Sequence, residues 1–348
     1  MIFCLDPERA HNLSIAALKT GLVGFSGTKD DPVLASTVWG IDFPNPVGLA
    51  AGFDKDAEVV DPLLKLGFGF VEAGTVTPEP QPGNPKPRLF RLEDDKAVIN
   101  RFGFNSGGLV PFVNRLKVRR ASSGLQGIVG ANVGKNKETV DGAADFVTGI
   151  KAVCRHADYL VVNVSSPNTV GLRDMQARGQ LEDLFGRVLE ARKSAAHDAG
   201  NLPPLLVKVA PDLNEQERRD IADVVMASKL DGIIVGNTTI QRPGTLTSPL
   251  RQETGGLSGK PLMEISTTVL SDFYQLTEGK VVLIGCGGVA SGSDAYEKIR
   301  HGASLVQFYS AMVYHGPGLA RRVTRELAAC LKRDDYGSVT EAIGSAFK

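Results

Sequence analysis

Asn163, Ser165, Ser166, Asn168 and Thr169 crowd one stretch of the sequence, YLVVNVSSPNTVGLRDMQ at 159–176, and no other stretch gathers so much potential chemistry. These groups are uncharged but rich in donors and acceptors, which suits a planar ligand bearing carbonyls, NH groups and a carboxylate. The stretch opens as Tyr159-Leu160-Val161-Val162, an apolar run of the kind buried on both faces of a parallel sheet. Pro167 then stops regular pairing. The polar residues thus sit at the C-terminal tip of a buried strand, where α/β barrels build active sites. An ordinary Ser/Asn-rich turn has the same composition, and on this stretch alone both readings stand. Ser166 is the best-placed proton acceptor, although a serine hydroxyl is a weak base without help. No Ser-His-Asp grouping lies near it in the sequence, which argues against an acyl-transfer triad.

Other apolar segments also end in useful groups. Ala51-Gly52-Phe53-Asp54-Lys55 follows one, Thr75 ends another, and Asn132 and Lys208 lie in two more. Asn237-Thr238-Thr239, Gly285-Cys286-Gly287-Gly288 and Tyr309-Ser310 close the last three. Lys208 stands inside the apolar VKVA, so its ammonium must reach a barrel mouth or an anionic partner. It could form a Schiff base, or stabilise negative charge on a bound cofactor. Lys55 poses the same choice, beside that of a solvated loop lysine. Gly287-Gly288 lets backbone N–H groups approach an anion, and Ser291-x-x-Asp294 marks a helix start just beyond. The pair reads as a phosphate site or as a tight turn.

The segments that must position these groups number eight, at 46–52, 69–76, 128–134, 159–166, 204–211, 232–237, 281–287 and 305–310. Helical patterns fill roughly 57–66, 137–153, 179–198, 214–228, 261–277, 293–301 and 317–332. Strands separated by helices pair in parallel, and eight of them close a (β/α)8 TIM barrel. A doubly wound open sheet is the alternative fold, but no Gly-x-Gly-x-x-Gly follows the first strand. Residues 77–127 break the rhythm. TPEPQPGNPKPRLF is too rich in proline for a helix, and AVINRFGFNSGG returns to apolar and amide residues, so the insertion reads as part of the site.

Ahead of the barrel, residues 5–22 read as a short amphipathic helix, with Asp6 as cap, Pro7 in the first turn, and Ala10, Leu13, Ala17 and Leu18 on one side. A linker rich in Gly, Ser, Thr and Asp runs from Gly24 to Asp31. The expected division is a helical extension over 1–30 and a barrel over 31–348.

The bulk composition narrows the function. With 348 residues, 42% of them hydrophobic, the chain can bury a large core. Lys+Arg and Asp+Glu both number 39, and this zero net charge argues against broad nucleic-acid binding. Cys4, Cys154, Cys286 and Cys330 are far apart, which points to a reduced compartment without structural zinc. His11, His156, His197, His301 and His315 are scattered, and no metal site is expected from them. No apolar run reaches the ~18–20 residues of a membrane span, and the N-terminus has no secretory pattern.

The motifs LDPERAH, NPVGLAAGFDKDAE, GTVTPEPQPGNPKPRLFRL, NRFGFNSGG, GANVGKNKET, NVSSPNTVGLRDMQ, VKVAPDL, NTTIQRP, ETGGLSGKPL, IGCGGVASGSDA and VQFYSA follow one another along nearly the whole sequence. In them the chain resembles the dihydroorotate dehydrogenases of the quinone-dependent class 2 type. The resemblance implies an FMN-dependent (β/α)8 barrel that oxidises dihydroorotate to orotate in pyrimidine biosynthesis. It also implies an N-terminal helical extension over a quinone tunnel, and serine rather than cysteine as base. Ser166 stands at that place. It would take the C5 proton through a water held near Thr169 and Phe104, while the C6 hydride goes to flavin N5. By the same likeness Lys55, Asn100, Arg101, Phe102, Gly103, Phe104, Asn163, Asn168, Asn237 and Thr238 would hold the substrate. FMN would contact Ala51, Gly52, Lys55, Thr75, Asn132, Asn163, Lys208, Gly236, Gly259, Gly288, Tyr309 and Ser310. His11 and Arg91 match positions that line the quinone site. A monomer attached peripherally to the cytoplasmic side of the cell inner membrane, with no metal, completes the expectation.

The chain departs from the family pattern in places. The extension before LDPERAH is shorter than in many relatives. Gly236 stands where a side chain often precedes Asn-Thr-Thr, and Ser310 replaces the usual threonine. Competing readings are a soluble enzyme of the same family with another acceptor, a Schiff-base lyase using Lys208, and a non-catalytic barrel scaffold. A flavin colour would remove the last two.

Overall fold

The computed structural model describes residues 4–21, 29–122, 127–196 and 202–347. Helix α1 (Pro7–Lys19) starts as its residues dictate: Asp6 accepts the Arg9 N–H at 3.0 Å, and Pro7 lacks a donor where none is needed. The linker expected after it falls largely on residues 22–28, outside the described ones. A hairpin follows, β1 (Ser36–Val38) and β2 (Ile41–Phe43), turned by Trp39 and Gly40 with φ of 55° and 75°. Two positive values are what a two-residue hairpin turn requires.

The barrel then begins. Its first half contains β3 (Val47–Leu49), α2 (Val60–Lys65), β4 (Phe70–Val76), the insertion strands β5 (Leu89–Leu92) and β6 (Ala97–Asn100), α3 (Leu109–Ala121), β7 (Ile128–Val133), α4 (Gly142–Val153) and β8 (Tyr159–Asn163). The second half contains α5 (Arg178–Ala196), β9 (Leu205–Val209), α6 (Glu215–Ser228), β10 (Gly232–Val235), β11 (Gly256–Gly259), α7 (Met263–Leu276), β12 (Val282–Cys286), α8 (Gly292–Arg300), β13 (Leu305–Phe308), α9 (Ala311–His315) and α10 (Leu319–Arg333). Strands β3, β4, β7, β8, β9, β10, β12 and β13 pair in parallel in that order and close on themselves. This is the (β/α)8 barrel expected from the eight apolar segments. Several strands stop short of the expected tips: β3 ends at Leu49, β9 at Val209, and β8 at Asn163, beyond which Ser165 and Ser166 bond through their side chains.

The insertion after β4 is built differently from a crossover helix. Strands β5 and β6 pair antiparallel, and β6 pairs with β11, which arrives from the far side of the sequence. The three form a small sheet beside the mouth. Helix α3 completes the insertion by burying Leu109, Phe112 and Leu116, one stripe at helical spacing.

The other end of the barrel is filled. Phe70, Ile128, Tyr159, Val161, Leu206, Ile234, Ile284 and Leu305 pack together with Val38 and Phe43 of the β1–β2 hairpin. Gly48 and Gly130 make room for the rings, since a Cβ there would fall 2.2 Å from Phe70 and 2.1 Å from Tyr159. Trp39 lies against Phe43 and Tyr159, and its indole N–H donates to the Asp231 carbonyl at 2.8 Å. The hairpin therefore plugs the floor.

Candidate active site

One layer above that floor the barrel interior turns polar, because β4 brings Glu72 and β13 brings Gln307. Both are fully buried. Glu72 accepts from Asn132 Nδ2 at 2.7 Å, from Gln307 Nε2 at 2.7 Å and from the Tyr159 hydroxyl at 3.2 Å. Burial and the neighbouring Glu72 hold the Tyr159 pKa well above its ordinary value, so the phenol stays a donor. A carboxylate only accepts, so Asn132 must turn its NH2 down and its oxygen up. That oxygen accepts from Thr75 Oγ1 at 2.6 Å and from Asn163 Nδ2 at 3.2 Å, and Asn163 also donates to Thr75 Oγ1 at 2.9 Å. Asn163 Oδ1 in turn accepts from the Ser165 hydroxyl at 2.8 Å, and that hydroxyl accepts from Asn237 Nδ2 at 2.8 Å. Every donor along this relay points toward Glu72. Asn132, Asn163 and Asn237, from three strands, are thereby locked in one orientation.

Above the relay lies a cavity of about 860 Å³ that runs from the strand tips to α1. At the barrel end Lys208 is 4% exposed and makes no hydrogen bond or ion pair among the described residues. One wall is Gly287–Gly288, with φ of 113° and 82°; a Cβ on Gly288 would fall 2.3 Å from Met263 Cα, so only glycine fits. Ser310 Oγ donates to Ser258 Oγ at 2.7 Å on the same side. At the tip of β8, Ser166 is buried and its Oγ accepts the Asn168 N–H at 3.2 Å. Asn168 Nδ2 reaches the Asn100 carbonyl at 3.1 Å, tying the β8 tip to the insertion. The hydroxyls of Thr169 and Thr238 are buried with no hydrogen-bond partner among the described residues. Lys55 holds its ammonium 4.0 Å from the centre of the Phe102 ring, and enclosure plus the nearby Arg88 charge lowers its pKa to about 8. Asp54 fixes the turn that carries Lys55 by accepting the N–H groups of Glu58 and Val59 at 2.7 and 2.8 Å.

The far end of the cavity is apolar. There α1 presents Ala10, Leu13, Ala17 and Leu18, the side expected from the sequence, opposite Leu89, Val98 and Val313. His11 meets the edge of Phe53 at 5.2 Å, with Nδ1 3.5 Å from the Tyr309 hydroxyl. Burial, with help from the Lys55 charge, lowers its pKa to about 4, so the imidazole is neutral at ordinary pH. Glu8 anchors the helix through Arg88, with contacts of 3.1 Å to Nε and 2.8 Å to Nη2, and Arg91 donates to the Leu5 carbonyl.

Residues 33–331 match the family model described as dihydroorotate dehydrogenase. The chain belongs to the dihydroorotate dehydrogenase family. It is 61% identical, over 97% of its length, to the dihydroorotate dehydrogenase (quinone) of Azorhizobium caulinodans and covers 95% of that protein. It is 53% identical to the mitochondrial dihydroorotate dehydrogenase (quinone) of Oryza sativa subsp. japonica, across 99% of this chain and 78% of that one. The crystal structure of DHODH in complex with ferulenol from Eimeria tenella shares its fold with a TM-score of 0.95 at 46% identity, covering 99% of this chain and 96% of that one. These likenesses place the chain in the quinone-dependent class 2 of the dihydroorotate dehydrogenases.

In this dihydroorotate dehydrogenase the residues assigned from the sequence to catalysis, substrate, cofactor or quinone line this cavity, except Arg101, Asn132 and Gly236. Ser165 and Thr169, from the same stretch as Ser166, also lie outside its lining. Arg101 turns away: it bonds Glu253 at 2.7 Å and stacks over Phe90 at 4.5 Å. Asn132 lies one layer down and reaches the cavity through Thr75 and Asn163. Gly236 abuts the Cys286 carbonyl, where a Cβ would sit at 2.1 Å, so any side chain is excluded. Glu72, Gln307 and the hydroxyl of Tyr159 are additions to the site. A glutamate inside the apolar FVEAGTV signals burial with partners as plainly as Lys208 does in VKVA.

Proposed function

We propose that the cavity holds FMN against the strand tips, takes dihydroorotate between Ser166 and Lys55, and admits a quinone along α1. The chain then oxidises dihydroorotate to orotate in pyrimidine biosynthesis, with the quinone as acceptor. The observation that carries this reading is the continuity of one cavity whose two ends differ in chemistry. A charged pyrimidine suits the amide and lysine end, and a long apolar quinone suits the helix end.

The residues present fit FMN. Lys208 is a buried ammonium in need of an anion. Gly287–Gly288 with Gly259 makes a wall that a phosphate can approach closely. Tyr309 and Ser310 border the same space, while Ala51, Gly52, Lys55, Thr75 and Asn163 face it from the other strands. Asn132 and Gly236 support that surface from beneath. When bound, FMN supplies a two-electron acceptor for the hydride leaving the substrate and relays the electrons to the quinone.

The protein's own part in the reaction is proton transfer and positioning. Ser166 Oγ takes the proton from C5 of dihydroorotate. The Asn168 N–H stabilises the charge that develops on that oxygen. The buried, unpartnered Thr169 hydroxyl, three residues beyond Ser166, fits a water that carries the proton onward, and Phe104 belongs to the cavity wall. Asn100, Asn168, Asn237 and Thr238 hold the pyrimidine edge, with Phe102 and Gly103 shaping the wall, and Lys55 meets the carboxylate. Neutral His11 and Arg91 meet the quinone head. Residues 1–30 act as the cap of this second entry, over a barrel formed by 31–348. Leu5, 39% exposed, and Leu13, 55% exposed where the cavity opens along α1, rest on the cytoplasmic face of the inner membrane, so that this opening meets the lipid, with the enzyme a monomer there. Among the described residues no helix is long and apolar enough to cross a bilayer.

The test separates the half-reactions. Denaturing the purified chain should release one FMN per chain, and dihydroorotate should bleach the flavin without oxygen. Ser166→Ala should keep its flavin yet bleach ~10²–10⁴-fold more slowly, the usual contribution of a positioned general base. Bleaching at the wild-type rate would place the base elsewhere.

A further inference from the structure

Lys298 on α8 is fully buried, and its ammonium meets only neutral oxygens within hydrogen-bonding reach. Nζ lies 2.6 Å from Ser266 Oγ and 3.4 Å from the Met263 carbonyl, both on α7. Among the described residues no carboxylate is within ion-pair distance of it. An ammonium buried in this way is strongly unfavourable unless an anion comes near. The geometry around Ser266 shows where that anion would sit. Ser266 Oγ accepts from Lys298, so its single proton is shared among the carbonyls of Leu262 at 2.7 Å, Gly287 at 3.0 Å and Met263 at 3.2 Å, and of these only Gly287 lies outside the turn at the start of α7. A trans peptide points its C=O and its N–H in opposite directions. With the Gly287 carbonyl turned out toward Ser266 on α7, the Gly288 N–H faces the cavity that Gly288 lines.

We propose that Lys298 is a positioning residue for the phosphate of the cofactor: through Ser266 it turns the Gly287–Gly288 peptide so that its N–H meets the phosphate, and it supplies the buried positive charge that the phosphate answers. This rests on the FMN reading above. The surroundings of Lys298 support it. From β12 comes the Cys286 thiol, from α8 itself the longer-range charges of Asp294 and Glu297, and from α7 the Ser266 hydroxyl and Met263 carbonyl. Burial outweighs these and lowers the Lys298 pKa to about 7. A phosphate dianion arriving nearby raises it again, so the protein takes up a proton as FMN binds. Riboflavin has the same ring system but no phosphate, and it gives the lysine no reason to recharge.

The experiment compares FMN and riboflavin on the wild-type chain and on Lys298→Gln, which keeps a donor for Ser266 but no charge. FMN is stripped from the holoenzyme, each flavin is titrated back in a calorimeter near pH 8, and two buffers of different ionisation heat report the protons exchanged. In the wild type, FMN should bind with uptake of close to one proton and riboflavin with none. In Lys298→Gln the uptake should vanish, and FMN affinity should fall at least about tenfold while riboflavin affinity changes little. Should the glutamine variant not fold, Ser266→Ala breaks the same link and carries the same expectation for affinity. A purely structural lysine would weaken both flavins alike, and that result overturns the proposal. So does an unchanged preference for FMN over riboflavin. If the wild type binds no FMN at all, the cofactor reading falls first, and with it the role of Lys298.

Discussion

Lys55 stands against an aromatic ring in a cavity that lowers its pKa to about 8. Below that pH the free enzyme carries the ammonium, and above it the charge is progressively lost. Orotate affinity should therefore weaken as pH rises through about 8, and calorimetric titration across that range checks it. Lys55→Met should bind orotate about tenfold or more weakly with no such pH dependence. Glu72 makes the second prediction at this scale. Glu72→Leu leaves Asn132 Nδ2, Gln307 Nε2 and the Tyr159 hydroxyl buried without their acceptor. An unmet buried donor costs ~1–3 kcal/mol, so we expect a loss of about 3 kcal/mol or more, read from the urea midpoint, together with weaker orotate binding. Glu72→Leu with unchanged orotate affinity would show that the relay does not orient Asn237. The sequence announces such residues unevenly. Lys208 is legible because an ammonium in an apolar strand has few places to go. Arg101 is not, because it follows Asn100 at the end of β6, and the turn there swings one residue to the cavity and the next to Glu253.

At the scale of elements, α1 is tied to the rest of the chain by ion pairs of Glu8 with Arg88 and Lys86 and of Lys19 with Glu58, and the Glu8 pair depends on pH. Burial alone would raise the Glu8 pKa, but hydrogen bonds from Arg88 and Lys86 outweigh it and the net shift is downward. A carboxylate whose folded pKa is depressed contributes its stability above the unfolded value and loses it as pH falls through the folded one. Docking of α1 should thus loosen in acid before the barrel does. Quinone-dependent reoxidation should fail at a higher pH than flavin reduction by dihydroorotate, and Glu8→Gln should remove that separation. His11→Ala with Arg91→Ala should slow reoxidation about tenfold and leave reduction within about twofold, a split that stopped-flow mixing resolves. Equal loss of both half-reactions would remove α1 from the quinone step. The eight barrel strands and the amphipathic side of α1 were legible because an apolar run and a helical stripe are both local patterns. The β5–β6–β11 sheet was not, since Gly256–Gly259 pairs with a strand more than a hundred residues earlier. Helix α3 was hidden by its proline-rich neighbour within the same interval, although Leu109, Phe112 and Leu116 carry the helical spacing.

For the whole molecule, the count of apolar segments was enough to foresee a closed barrel, but not which end would be stopped up. The hairpin that does this has strands of three residues each, too short to show a period. Its effect is to divide the barrel by height: apolar rings at the floor, the relay above them, the cavity at the mouth. Trp39 sits in the turn of that hairpin, and it is the one tryptophan in the sequence. Emission excited at about 295 nm, where the six tyrosines scarcely absorb, is accordingly a gauge of the floor. Stripping FMN or trimming α1 should leave its wavelength where it was, and a red shift should come only when the barrel itself opens in denaturant. A shift on stripping would mean instead that mouth and floor loosen together. Either way, a stopper that touches no ligand gives the protein a built-in optical reporter on the integrity of its scaffold.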